Sequence, residues 1–378
     1  MILASKMPSM AEINKKAKTA KFTAVSFFSG MGGGSIGMKM AGYSVRYANE
    51  FVPVASDVYD ANSGGLKIDR RDIRKVTAKS VYALSKIPKG EIDLIEASPP
   101  CKAFSSTQAR KQGRDFGEEV DYSEGIKQRV DDLFFEFCRV LKHLQGKVFI
   151  AENVPGLVKA INRGYFVEIH EALTNCGYNV QAVVIDPSRL GVPQKRERLI
   201  FMGIRNDLYK AGFRHAWPKP SKHETTVQEC LPHIERIKTT RGYSHAKSPS
   251  PTITASDHSI GETANFSCGG FVETNEGVSR KYTIDELKVL SSVPKDFVFP
   301  PQEKESKSKH FIRSWERLGR IHVPLQVYHI ASEIRKNILE PYYQNKGKPN
   351  DNQSPRSAKK APAATKPSAS KPASKKPR

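Results

Sequence analysis

Lys21-Phe22-Thr23-Ala24-Val25-Ser26-Phe27-Phe28 runs directly into Ser29-Gly30-Met31-Gly32-Gly33-Gly34. The first half is rich in β-branched and aromatic residues, as strands are. The second half is a glycine-rich turn, which lets a ligand approach the backbone at the positive end of a following helix. A tight turn with no ligand has the same composition, so this turn carries weight only in company. Its company is a series of short strand-like runs at residues 44–48, 92–96, 147–151, 180–185 and 199–203. Between residues 131 and 144, Leu133, Phe134, Phe137, Cys138 and Leu141 recur at helical spacing. Strands alternating with helices predict an α/β fold: a mostly parallel sheet with right-handed crossovers, flanked by helices.

A chain of 378 residues, 38% of them hydrophobic, can bury one large core and a smaller satellite. Residues 1–20 are polar and lysine-rich and read as a basic flexible arm; residues 21–205 hold the layered domain. Residues 206–310, dense in Pro, Ser, Thr, His and Gly up to Ser279, read as a smaller irregular lobe. Within this reading residues 283–293 are helical, and residues 311–343 form a C-terminal helix that returns to the main domain. That helix covers residues 322–339, with Pro324 in its first turn. Residues 344–378, dominated by Lys, Pro, Ala and Ser, cannot bury a core and read as a disordered basic tail.

Lys and Arg outnumber Asp and Glu by 61 to 39, a net charge of +22. Residues 345–378 hold eight Lys and two Arg against one Asp, and the body is basic as well. This balance predicts a polyanionic partner, although a merely solubilising surface has the same composition. No apolar run approaches the roughly 18–20 residues of a membrane span, and no signal-peptide pattern opens the chain. The five cysteines are scattered and form no CxxC pair, against both a disulfide framework and a zinc site. The expectation is a metal-free protein of a reducing, intracellular compartment.

Residues with chemical potential fall just after the strands. Glu50 lies about 20 positions past the glycine turn, where nucleoside-binding folds hold ribose hydroxyls. Asp72, in Arg71-Asp72-Ile73, follows a presumed third strand. Each acid alone is best read as a surface carboxylate; the ordered set outlines a nucleoside pocket. Ser98-Pro99-Pro100-Cys101-Lys102-Ala103-Phe104-Ser105 follows a buried strand, and its prolines preset the backbone that presents the thiol. A thiolate is a strong nucleophile, favoured by a cation such as Lys102; an inert core cysteine fits these polar neighbours poorly. Ala151-Glu152-Asn153-Val154-Pro155-Gly156 offers a general acid at the same edge. In Gln194-Lys195-Arg196-Glu197-Arg198, alternation places two cations on one side to hold a base and a phosphate.

The strand with FxGxGG, the Glu after the second strand, PPC-x-x-FS, ENV and QxRxR together resemble the DNA cytosine-C5 methyltransferases, from about Phe22 to Leu339. The resemblance implies a Rossmann-like S-adenosylmethionine-dependent methyltransferase fold with a small target-recognition lobe. It implies that the target cytosine is flipped out of the duplex, that Cys101 attacks C6, and that Glu152 stabilises protonated N3. Arg198 would hold the base and Arg196 support it. Phe28, Gly30, Gly32, Gly33, Pro99, Gly319 and Arg320 would line the donor site, with Glu50 on the ribose and Asp72 and Ile73 on the adenine. Ser105, Arg110, Lys111 and Arg114, in the polar stretch 105–122, would meet DNA phosphates. Residues 206–280, with Ser250-Pro251-Thr252-Ile253-Thr254-Ala255, resemble the variable recognition region. The implied partners are double-stranded DNA and a cognate restriction endonuclease, for a monomer without membrane contact.

Two departures stand out. The family's Gln after the cysteine is Lys102, and its Gly-Asn-x-Val-x-Pro reads Gly319-Arg320-Ile321-His322-Val323-Pro324. The Gln and Asn positions lie beside the transferred methyl in the family fold, so two neutral amides have become cations. Drift explains this, as does Lys102 lowering the thiol pKa. So does a donor with an anionic transferable group, carboxy-S-adenosylmethionine. Two cations repel each other and a sulfonium, and a cation is disfavoured at a helix start, where this reading puts Arg320. A carboxylate on the donor would relieve both. The competing functions are a tRNA cytosine-C5 methyltransferase, whose usual Cys-Phe-Thr tripeptide this chain lacks, and a non-catalytic DNA-binding relative, which would be expected to lose Cys101 or Glu152.

Overall fold

A computed structural model describes residues 1–100, 120–123, 126–128, 132–158, 163–239, 242–254 and 271–346. Helix α1 (Met10–Lys18) leads into β1 (Phe22–Phe27), α2 (Gly33–Met40), β2 (Tyr43–Asn49), α3 (Pro53–Asn62), α4 (Ala78–Ser85) and β3 (Leu94–Ala97). A ribbon of β4 (Val120–Ser123) and β5 (Ile126–Gln128) precedes α5 (Leu133–Leu144), β6 (Val148–Asn153), α6 (Arg163–Asn175), β7 (Tyr178–Ile185) and β8 (Arg198–Arg205). The main sheet has the order β2-β1-β3-β6-β8-β7. Strands β2, β1, β3 and β6 run parallel, whereas β8 is antiparallel to both its neighbours.

Alternation along the strands makes two core layers. Val25, Ile95, Phe149 and Phe201 face Val81, Phe137, Leu141 and Leu173 from α4, α5 and α6. Their neighbours Ala24, Leu94, Ile150 and Met202 face Met38 of α2 and, across it, Val327, Ile330 and Ile334. These strands are buried on both faces, which is why they read as continuous apolar runs.

Helix α7 (Asn206–Lys210) packs on the main sheet through Leu208, and the second lobe contains α8 (Val227–Cys230), β9 (Ile234–Thr239), β10 (Gly242–His245), β11 (Phe271–Thr274), β12 (Ser279–Lys281), α9 (Ile284–Leu290) and α10 (Lys307–Arg320). Its strands form an antiparallel sheet in the order β10-β9-β11-β12, so the lobe is more regular than its composition predicts. Helix α11 (Pro324–Ile334) and a π-helical turn at Arg335–Leu339 lead into α12 (Glu340–Lys346).

Four expectations need correction. Residues 1–20 are not a loose arm: Ser9 and Glu12 form a capping box for α1, and Met10, Ile13 and Ala17 are buried. The recognition lobe does not begin at residue 206, because His215 and Trp217 bond Asn179 and Gln181 of β7 and belong with the main sheet. The C-terminal helix is not one element over residues 311–343; α10 ends at Arg320 and α11 starts afresh at Pro324, with Val323 extended between them. No strand precedes Asp72, where only a single bridge joins Asp69 to Asn49.

Candidate active site

The sheet brings the site residues to one edge by register. Asn49, Phe27, Ala97 and Ala151 are paired in one row across β2, β1, β3 and β6. Glu50, Phe28, Ser98 and Glu152 are each the next residue beyond that row. Strand β8 runs the other way, so its first residue, Arg198, lies at the same edge. Four strand ends and one strand start thus converge.

At the β1 end, Phe28 has φ 51° and Gly30 φ 54°. A side chain on Gly30 would meet nothing within 4 Å, so the turn faces open space. Gly30 N–H donates to Glu50 Oε2 at 2.9 Å, and Val52 N–H to Oε1 at 2.8 Å. Burial pushes the Glu50 carboxyl up, opposed by these main-chain bonds and by the charge of Arg317. A carboxylate has about four acceptor positions, so the remaining ones suit vicinal hydroxyls. A Cβ on Gly33 would overlap the His322 carbonyl, which shows how closely the Gly319–Pro324 segment lies against the glycine turn. The turn and its acid therefore fit an adenosyl-type donor. The Asp72 side chain accepts from Arg74 N–H at 2.9 Å and pairs with its guanidinium at 3.1 Å; the Ile73 side chain is in the core.

At the other end of the edge, Arg198 Nε lies 2.7 Å from Glu152 Oε1, both side chains 13% exposed. Burial pushes the Arg198 guanidinium down, and Glu152 opposes that. Arg196, read from the sequence as a partner of Arg198 on one strand face, precedes β8 instead. It is 2% exposed and donates to the carbonyls of Ile253 (3.0 Å), Gly319 (2.8 Å) and Ile321 (3.2 Å). Arg196 is therefore a brace between the recognition lobe and the segment that carries Arg320.

Arg320 also differs from expectation. It is the last residue of α10, where the helix dipole favours a cation, and it bonds Glu316 at 2.7 Å. Local stability therefore favours a cation here, contrary to the expectation from the sequence. Pro99 is buried beside the edge and Gly319 is buried under Arg196. Cys101, Lys102, Ser105, Arg110, Lys111 and Arg114, and the tail from residue 347, lie outside the described residues.

Sequence reasoning missed two features. Arg317, 4% exposed, acts electrostatically on Glu50, and the buried Glu96 pairs with His322 at 3.0 Å. A lone acid within the apolar run Leu94-Ile95-Glu96-Ala97 was the available signal for the second. Among the described residues no group of His, Cys, Asp or Glu has the makings of a metal site, and no helix is long and apolar enough to cross a membrane.

The type II methyltransferase M.FnuDI of Fusobacterium nucleatum is 30% identical over 207 residues, 55% of this chain and 54% of that protein. The chain thus spans about half the length of the first curated relatives it matches. M.Bsp6I of Bacillus sp. (strain RFL6) is similar over more of its length, at 28% identity across 83% of this chain and 98% of that protein. The S. pombe Dnmt2 methyltransferase shares the fold, with a TM-score of 0.56 and 17% identity over 85% of this chain and 99% of that one. The family described as C-5 cytosine-specific DNA methylase matches residues 22–249, well over half of the sequence, and it is to this family that the chain belongs.

Proposed function

We propose that the chain is a DNA cytosine-C5 methyltransferase that works through Cys101 and Glu152 with S-adenosylmethionine as donor. The observation that carries this reading is the Glu152–Arg198 pair at 2.7 Å, one residue past the register row and next to the β3 end that leads to Cys101. Cys101 adds as thiolate to C6 of a flipped cytosine. Glu152, held by Arg198, bonds the protonated N3, so negative charge does not build up in the ring. Bound S-adenosylmethionine supplies an electrophilic methyl group on a sulfonium. With that methyl passed to ring C5 and the donor left as a neutral thioether, loss of the C5 proton and of Cys101 as thiolate would restore aromaticity. Phe28, Gly30, Gly32, Gly33, Pro99 and Gly319 shape the donor site, Glu50 takes the ribose, and Asp72 and Ile73 flank the adenine. Ser105, Arg110, Lys111 and Arg114 meet phosphates. The DNA methylase family match and the relatives' designation as type II methyltransferases support DNA as the substrate; that the enzyme works inside the cell as a monomer beside a cognate restriction endonuclease is part of the same proposal.

A second reading concerns the group transferred. Arg320 sits between the two carbonyls that Arg196 holds, in the segment packed on the glycine turn. That placement supports a donor bearing a carboxylate, which Arg320 and Lys102 would bind through charge-assisted hydrogen bonds, so that carboxymethyl is delivered. Glu316 already compensates Arg320, so plain methyl transfer stands first.

The test is expression beside Cys101→Ala in a host that makes carboxy-S-adenosylmethionine, followed by mass spectrometry of digested DNA. The expected product is 5-methylcytosine, absent from the control; 5-carboxymethylcytosine would establish the second reading. No modified cytosine in either sample would overturn both and turn attention to tRNA, tested by competition against duplex DNA, or to a binding-only role.

A further inference from the structure

Glu96 is 1% exposed in the middle of the main sheet, where a carboxyl group must be well bonded. Three side chains bond it. Ser26 Oγ donates to Oε2 at 2.6 Å, Ser98 Oγ to Oε1 at 3.1 Å, and His322 Nδ1 lies 3.0 Å from Oε1. His322 is itself 6% exposed; its Nδ1 is also 3.3 Å from Ser98 Oγ, and its Nε2 has no hydrogen-bond partner among the described residues. The first turn of α2 closes the cluster from above, since a Cβ on Gly34 would overlap the Glu96 carboxylate.

Three segments meet here that are remote in sequence, Glu96 and His322 being 226 residues apart. One is the glycine turn that shapes the donor site. Another is Ser98, at the end of β3 and three residues before Cys101 in the sequence. The third is the Gly319–Pro324 segment that bears Arg320. Replacing a buried acid–histidine pair by apolar residues is often neutral or stabilising. Stability is therefore a poor reason for this pair.

We infer that Glu96 and His322 are positioning residues: together they fix Ser98 to the donor-flanking segment and so set the reach of Cys101 to the cytosine ring. This rests on Cys101 being the nucleophile. Without His322, Ser98 loses one of the two groups that orient its hydroxyl and is free to shift. A displacement of about 1 Å costs on the order of 100-fold in rate.

The experiment compares wild type with His322→Val, His322→Asn, Glu96→Gln and the double variant Glu96→Ala/His322→Val. His322→Val is expected to lower kcat at least about 10-fold while KM for donor and DNA stays within about 3-fold. His322→Asn, which offers an amide N–H near the place of Nδ1, should recover most of the loss. The double variant should regain the wild-type melting temperature but not kcat. An unchanged kcat in His322→Val, or kcat recovering along with stability in the double variant, would overturn the inference. Should His322→Val not fold, Glu96→Gln replaces it under the same criterion. Alkylation of Cys101 by iodoacetamide, followed by mass spectrometry, separates this idea from the proposed function. If wild type modifies no DNA, the function falls, yet a severalfold change in alkylation rate in His322→Val still supports the coupling and an equal rate removes it.

Discussion

Glu152 and Arg198 form a half-buried pair at 2.7 Å, and each depends on the other's charge. Glu152→Gln keeps the shape but cannot hold an acidic proton against N3, and it leaves Arg198 without its counter-charge. General acid–base contributions are typically about 10²–10⁴ in rate, so kcat should fall by that factor, with duplex Kd moving less than about 3-fold. Single-turnover rates beside a fluorescence binding curve check this; a kcat within about 5-fold of wild type would place the acid elsewhere. Arg196 should behave differently, because its bonds go to main-chain carbonyls of Ile253, Gly319 and Ile321. Arg196→Ala leaves buried carbonyls unsatisfied, at about 1–3 kcal/mol each. It should show chiefly as a melting temperature lowered by several degrees, measured by calorimetry. That the glycine turn, Glu50 and Glu152 gather at strand ends was legible in the sequence, because each follows an apolar strand run directly. The brace by Arg196 was not, because its acceptors are carbonyls that every residue possesses. His322 was visible as a departure, but its partner Glu96 emerges only when β3 and the Gly319–Pro324 segment come together.

Helix α10 carries Arg317 and Arg320 to the donor side and is itself anchored by Glu305, just ahead of its N-cap Ser306. Glu305 accepts from Arg313 Nε at 2.8 Å and Nη2 at 3.0 Å, and His310 Nδ1 lies 3.1 Å away. The Arg313 bonds hold its carboxyl at about 2 against an ordinary 4.5, outweighing the upward push of burial. A depressed folded value means the contribution is fully present above pH 4.5 and is lost as pH falls through about 2. Wild type should therefore lose stability across that window. Glu305→Gln should start several degrees lower at neutral pH and fall less steeply on acidification. Parallel acid limbs in thermal melts from pH 7 to pH 3 would show that Glu305 contributes nothing. This helix was hard to see in the sequence because its buried apolar residues, Trp315 and Leu318, stand among Lys, Arg, Ser and Glu. Helix α1 was masked in the same way: Met10, Ile13 and Ala17 pack inward while its lysines dominate the composition. The main sheet was easier, since strands buried on both faces leave long apolar runs.

At the scale of the whole molecule, charge is divided between the body and the C-terminal extension. Helix α12 seats at the amino end of β3, where Tyr343 Oη donates to Asp93 at 2.7 Å and Lys147, 3.0 Å from Asp93, lies against the Tyr342 and Tyr343 rings. Asp93 precedes β3 and Ser98 follows it, so the chain leaves α12 from the edge opposite the candidate active site. Residues 347–378 carry seven Lys and two Arg against one Asp. The prediction is that these cations add phosphate contacts without reading the target base. Each phosphate neutralised on duplex DNA steepens the log K against log salt slope by about 0.9. Removal of residues 347–378, which leaves Tyr342 and Tyr343 in place, should therefore weaken duplex binding at low salt and flatten that slope. The rate at saturating DNA and the set of modified cytosines should stay the same. Anisotropy titrations between about 50 and 200 mM salt, with sequencing of modified sites, measure both. A slope equal to wild type would mean the extension makes no phosphate contacts. A changed set of modified sites would make it part of the recognition apparatus, a role this reading gives to the lobe built on β9 to β12.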